Sequence, residues 1–193
     1  MNPNPIPRMT PEEFLIWERA EEFRHEYRDG EIVAMSGARR AHNLISVNMA
    51  SELRAALKAR DCETYASDMR VWIPKTRLYT YPDIVVVCGE PQFIDDEFDT
   101  LLNPVVVVEI LSDSTESYDR GRKFEQYRRV ETLKEYILIS QPRQHVERFV
   151  KHGDGFWQLS ESDGAEAVLA LESLDVSIPL GAIYEKVKFT GDE

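Results

Sequence analysis

Two carboxylates stand out because of the residues around them. Asp83 opens the run Asp83-Ile84-Val85-Val86-Val87, and Glu109 falls four residues after Val105 in Val105-Val106-Val107-Val108-Glu109-Ile110-Leu111. Burying a charge unpaired in such aliphatic surroundings costs roughly several kcal/mol, so a cation or a hydrogen-bond donor must compensate it. If the two runs are adjacent antiparallel strands, the start of one lies beside the end of the other, and both acids meet at one edge of a hydrophobic sheet. That pair suits Mg²⁺, which takes one or two carboxylates and completes its shell with waters and phosphate oxygens. The plainer alternative pairs one acid with a nearby arginine and leaves the other as a solvated strand end.

Lys123 follows Glu109 by 14 residues on a predicted helix, with Asp119 and Tyr127 four residues to either side. One helical face then carries acid, base and phenol, and a lysine beside a metal-bound water could position or deprotonate it. Without the carboxylates nearby, Asp119 and Lys123 would make only a surface pair. Glu26, where the first helix gives way to a hairpin, and His42, after Arg39-Arg40 at the start of a long helix, join the candidate catalytic set. Each alone would read as a solvated or capping group. There is no Gly-rich phosphate loop, nucleophile elbow or His-Glu-x-x-His helix, and Ser112-Asp113-Ser114-Thr115 reads as a helix-initiating turn.

The elements that must position these residues are legible in outline. Thr10-Pro11-Glu12-Glu13 is a capping box for a first helix reaching about Arg24, with Phe14, Leu15, Trp17 and Phe23 as its apolar face. Asp29-Gly30 marks a hairpin. From about Ala38 to Arg60 there is neither Gly nor Pro, and Leu44, Val47, Leu53 and Leu57 recur at helical spacing. Short strands follow at 62–65 and 69–73, and then come the two valine-rich runs, predicted to be central and buried on both faces. The 16 residues from Cys88 to Asn103 hold five acids and little helix, which favours an antiparallel pairing of the runs over a crossover. A helix then runs to about Val130 with Phe124 and Tyr127 inward. A strand at 135–140, a hairpin around Asp154-Gly155, two strands completing the sheet and a short helix after Pro179 finish one α+β domain.

With 193 residues and 42% hydrophobic composition, the chain suits one domain with a real core. No run approaches the ~20 apolar residues of a membrane span, and the N-terminus lacks an apolar leader, so the expectation is a soluble, cytoplasmic protein. Cys62 and Cys88 are too few for a disulfide scaffold and lack partners for zinc, and they are expected to be reduced.

Taken together, Tyr81-Pro82-Asp83-Ile84-Val85, Val107-Val108-Glu109-Ile110-Leu111-Ser112-Asp113-Ser114-Thr115 and Asp119-Arg120-Gly121 with Lys123-Phe124 and Tyr127 resemble the bacterial putative restriction endonuclease family of the PD-(D/E)XK nuclease superfamily. Glu26-Tyr27 with Asp29-Gly30-Glu31, and His42 followed by Leu53, also match, and the resemblance covers about Thr10 to Tyr184. It implies a restriction-endonuclease-like core, a mixed β-sheet flanked by α-helices, over residues 10–187, between an extended or disordered arm at 1–9 and a tail at 188–193. It further implies a homodimer that hydrolyses phosphodiester bonds in DNA with Mg²⁺, for which Mn²⁺ can substitute. Asp83 and Glu109 would be the metal ligands. Leu111 stands where the superfamily motif has its lysine, and the resemblance assigns that role to Lys123 on the following helix. Asp113 replaces a common proline.

A formal net charge of −12 argues against broad nucleic-acid binding, but the charge is unevenly spread. Residues 37–75 carry seven Lys or Arg against four acids, and residues 120–153 carry nine against four. His42 lies in one basic segment and Lys123 in the other, so local phosphate contacts with weak, salt-sensitive affinity are expected. Two other functions compete with the endonuclease reading: a catalytically silent domain used for oligomerisation or partner binding, and a metal-dependent hydrolase of small phosphate esters.

Overall fold

A computed structural model describes residues 8–189. The arm expected at 1–9 and the tail expected at 188–193 lie mostly outside the described residues. The capping box forms at the start of α1 (Pro11–Glu18): the Glu13 N–H donates to Thr10 Oγ1 at 3.2 Å, and the Thr10 N–H donates to Glu13 Oε2 at 2.8 Å. This helix stops at Glu18 and does not reach Arg24. The buried Glu18 carboxylate accepts the His25 N–H at 2.8 Å and the Tyr81 hydroxyl at 2.9 Å, which turns the chain and leaves Phe23 exposed.

The hairpin of β1 (His25–Arg28) and β2 (Glu31–Ala34) turns through Asp29 and Gly30, whose φ values of 49° and 97° fit the left-handed positions of a tight two-residue loop. In α2 (Arg40–Leu57) the buried stripe is Ile45, Met49, Leu53 and Leu57, at four-residue steps. Val47 falls two residues from both Ile45 and Met49, hence on the opposite side, and is exposed despite the expectation.

Strands β3 (Cys62–Ala66), β4 (Arg70–Ile73), β5 (Leu78–Thr80), β6 (Ile84–Cys88), β7 (Thr100–Leu101) and β8 (Val106–Ile110) follow. The predicted single helix after them is a broken crossover: α3 (Glu116–Tyr118), a π-helical stretch at Asp119–Lys123 and α4 (Phe124–Tyr127). The chain ends through β9 (Glu135–Ile139), β10 (His145–Lys151), β11 (Trp157–Asp163), β12 (Val168–Leu171), β13 (Val176–Pro179) and α5 (Leu180–Ile183).

These strands form three sheets, where the sequence suggested one. The six-stranded sheet has the order β11-β10-β9-β8-β6-β3 and is mixed, since β8 and β9 are parallel while its other pairs are antiparallel. A parallel neighbour requires a crossover, and the crossover is what carries residues 116–127 back over the end of β8. Pro74 starts a single turn that sends β5 back along β4, and β5 then pairs with β1, giving a second sheet ordered β2-β1-β5-β4-β7. The acidic 88–103 segment contributes β7 to that sheet, parallel to β4. Strands β12 and β13 pair only with each other among the described residues.

Alternation along the central strands sorts the core into two layers. Ile84, Val86, Val106, Val108 and Ile110 pack with the α2 stripe and with Leu169, Leu171 and Ile178. Val85, Val87, Val107 and Leu111 face the other way, against Val71, Leu78, Phe124 and Tyr127. By the same period of two, Asp83 and Glu109 lie on the second face. Cys62 and Cys88 sit opposite each other in the β3–β6 register and are joined by a disulfide, which corrects the expectation of free thiols. Composition cannot show register, and register put the two sulfurs together.

Candidate active site

The two sequence-predicted carboxylates meet at a strand edge. Ile84 pairs with Val108 in the antiparallel β6–β8 ladder, and one further step brings Asp83 opposite Glu109. Asp83 Oδ2 accepts the backbone N–H of Ile110 at 2.7 Å, which ties the residue before β6 to the end of β8. Its other oxygen lies 3.0 Å from His42 Nε2, delivered by the first turns of α2.

Glu109 is buried, and Lys123 Nζ reaches its Oε1 at 2.7 Å from the π-helical stretch. Lys123 is itself buried, with two further carboxylates around its ammonium: Glu26 Oε1 at 3.5 Å and Asp119 Oδ1 at 3.7 Å. Leu111, at the position expected of a lysine, packs in the apolar layer with Tyr127, so Lys123 is the cation of this group. Asp119 and Lys123 are thus not the surface pair that their spacing alone suggests. The π-helical pitch is held from below by the Tyr136 hydroxyl, which donates to the Asp119 carbonyl at 3.0 Å.

Glu26 enters from the second sheet. On β1 its side chain takes the Arg28 guanidinium on Oε2 at 2.6 Å, and the Thr80 hydroxyl of β5 donates to its Oε1. The Arg28 contact follows the strand period of two, and Thr80 arrives through β1–β5 pairing. Neither partner was among the residues singled out from the sequence. Arg28 at i+2 on the strand was a usable signal, whereas Thr80 depends on a pairing 54 residues apart in sequence.

The electrostatics reflect an excess of acids over cations. Burial pushes the Glu109 carboxyl well above the usual range, and Asp119 and Asp83 push it further. Burial likewise raises Asp119. Burial would lower Lys123, but Glu109, Glu26 and Asp119 outweigh it and hold the ammonium well above its ordinary value. Burial would raise Glu26, but Lys123, Thr80 and Arg28 together bring it below the usual carboxylate range.

The group therefore fits a divalent cation. Its donors are oxygens, Asp83 and Glu109 share one face of one sheet edge, and Glu109 Oε1 is buried with no hydrogen bond among the described residues beyond the ion pair with Lys123. An all-oxygen, carboxylate-rich set is the kind that Mg²⁺ or Mn²⁺ takes.

The model of the Uma2 family, whose description is putative restriction endonuclease, matches residues 11–181. The chain belongs to this family. Two uncharacterized Synechocystis proteins are also similar: one is 37% identical over 185 residues, spanning 96% of each chain, and the other is 34% identical over 168 residues, spanning 87% of this chain and 95% of the relative. A crystal structure of a putative nuclease belonging to DUF820 from Anabaena variabilis superposes with a TM-score of 0.74 at 18% identity, covering 91% of this chain and 97% of that one. The Uma2 chain thus has the α+β, restriction-endonuclease-like fold. Among its described residues no helix is long and apolar enough to cross a membrane.

Proposed function

We propose that the protein is a Mg²⁺-dependent endonuclease that hydrolyses phosphodiester bonds in DNA, with Mn²⁺ able to substitute. The observation that carries this reading is the placement of Asp83 opposite Glu109, with Lys123 Nζ 2.7 Å from Glu109 at the same sheet edge. When bound by Asp83 and Glu109, the metal lowers the pKa of a water and offsets phosphate charge. Asp83 is held for that task from both sides, by the Ile110 N–H and by His42, so its oxygens keep one orientation. Lys123 presents a cation beside the carboxylates, where it orients the attacking water and meets the negative charge that grows on the phosphate. Glu26 steadies Lys123 from the second sheet and is itself fixed by Arg28 and Thr80. His42 and Glu26 are positioning residues in this arrangement.

The test is incubation of supercoiled plasmid with the purified protein in Mg²⁺ or Mn²⁺, alongside Asp83→Ala and Lys123→Ala. The wild type should nick or linearise the plasmid, and each variant should lose about 100-fold or more of that activity, the scale of removing one electrostatic group from a transition state. Equal nicking by all three proteins, or none by the folded wild type at any metal concentration, overturns the proposal.

A further inference from the structure

Beside the carboxylates, on the side of the β1–β2 hairpin, lies a cleft of about 520 Å³ lined by three arginines: Arg8, Arg28 and Arg122. Arg28 is a rigid member. Its Nε and Nη2 donate to Glu26 Oε2 at 3.1 and 2.6 Å, and its guanidinium carbon sits 3.8 Å from the centre of the Tyr118 ring. Its Nη1 has no hydrogen bond among the described residues, which leaves a stacked, pre-oriented pair of donors for an anion. Arg122 precedes Lys123 in the chain, and both Arg122 and Arg8 are exposed and have no carboxylate partner among the described residues. By contrast Arg19, Arg70, Arg120 and Arg148 are each paired with acids. Two acids also line the cleft. Asp29 is engaged by Arg77 at 3.3 Å and Glu26 by Arg28 at 2.6 Å, so Glu31 is the acid of the lining left to face Arg8 and Arg122.

The cleft is adjacent to the reacting centre but separate from it. Glu26 links them, with Arg28 on one oxygen and Lys123 Nζ 3.5 Å from the other. Arg28 and Lys123 share Glu26, and Arg122 is the chain neighbour of Lys123, so the carboxylate edge and the cationic cleft offer two neighbouring places for anions. A small phosphate monoester fills only one; consecutive phosphates of a polynucleotide fill both. We propose that the Arg8–Arg28–Arg122 cleft seats a backbone phosphate neighbouring the one cleaved, which makes the substrate a polynucleotide strand and deepens the endonuclease reading on which it rests. In a chain of net charge −12, this local seat is how a polyanion is held without a broadly basic surface.

The test is fluorescence anisotropy of a labelled DNA duplex, titrated with full-length protein in Ca²⁺ at several KCl concentrations. The proteins are the wild type, the double variant Arg8→Gln/Arg122→Gln, and a charge-matched control, Lys186→Gln/Lys188→Gln, both exposed and outside the two basic segments. Loss of phosphate contacts should flatten the slope of log affinity against log salt by about 1 to 2 in the cleft variant, with affinity falling about tenfold or more at low salt. The control should keep the wild-type slope. Equal flattening in both pairs, or in neither, overturns the cleft while leaving the endonuclease reading untouched. Wild-type binding with the expected slopes but no plasmid cleavage keeps the cleft as a phosphate seat, overturns the endonuclease and with it the claim that the neighbouring phosphate is cleaved. No DNA binding by the wild type overturns both.

Discussion

The molecule gathers acids in two places, and their surroundings differ in one decisive respect. In the 88–103 segment, Asp95 and Asp99 converge on Arg19, each 2.8 Å from its Nη2, and Asp99 also lies 3.5 Å from Arg70. Arg19 and Arg70 match these two acids, and both carboxyls are held low: Arg19, its hydrogen bond first, brings Asp99 down to about 2 and lowers Asp95 as well. At the strand edge, Glu26, Glu109 and Asp119 share Lys123, Glu26 alone also takes Arg28, and Asp83 leans on His42. There burial drives Glu109 and Asp119 up. A matched cluster is complete and ties α1 to the loop. An unmatched, buried one leaves negative charge uncompensated, the condition that the proposed divalent cation would relieve.

The comparison breaks most readily at Lys123. Replacing it with methionine leaves three buried carboxylates without their shared cation, so Lys123→Met should cost about 3–5 kcal/mol in urea unfolding, the scale of breaking a buried ion pair. Mg²⁺ should recover part of that loss. A cost below about 1 kcal/mol would mean that the acids there are not in excess.

A smaller effect sharpens the assignment of the cation. Mg²⁺ or Mn²⁺ should raise the calorimetric melting temperature of the wild type, by the equivalent of about 2.7 kcal/mol at a hundredfold excess over Kd. Asp83→Asn should abolish the shift, whereas Asp99→Asn should keep it. Loss of the shift in both variants would remove the distinction between the two clusters.

The smallest effect belongs to the matched cluster and to acid. Asp99 has a folded pKa of about 2 against an ordinary 3.8, so the folded state binds fewer protons than the unfolded one between those values. Its contribution is therefore fully present above about pH 4 and disappears as pH falls towards 2. For a pair this exposed it should be on the order of 0.2–1 kcal/mol. Asp99→Asn should flatten that part of the stability curve, as followed by urea unfolding at each pH. An unchanged acid limb would show that the Arg19 cluster contributes nothing to stability.

Local signals in the chain were sufficient for many elements. Asp29-Gly30 marked a tight hairpin, the Thr10–Glu13 box started α1, and the Val-rich runs after Asp83 and before Glu109, each flanked by proline, read as doubly buried central strands. From strand polarity alone, the start of one run beside the end of the next put those two acids together, and the β6–β8 register agrees. These inferences succeeded because turn chemistry, capping and side-chain alternation are set within a few residues.

Only the tertiary structure decided the rest. Glu26 and His42, unremarkable one by one, belong to the site because β1 pairs with β5 and because α2 packs its first turns against the start of β6. The Cys62–Cys88 bridge, the division of the strands into separate sheets, the early end of α1 at Glu18 and the π-helical pitch beneath Lys123 likewise follow from pairing and packing between distant segments. Strand polarity in the sequence allowed Asp83 and Glu109 to meet, and helical spacing set Asp119, Lys123 and Tyr127 on one face, because periodicity is local; the choice of Lys123 as the site's lysine came from the family resemblance. Their burial, their excess over cations and the arginine cleft beside them were decided by the fold, because burial and charge balance depend on neighbours that no local pattern specifies.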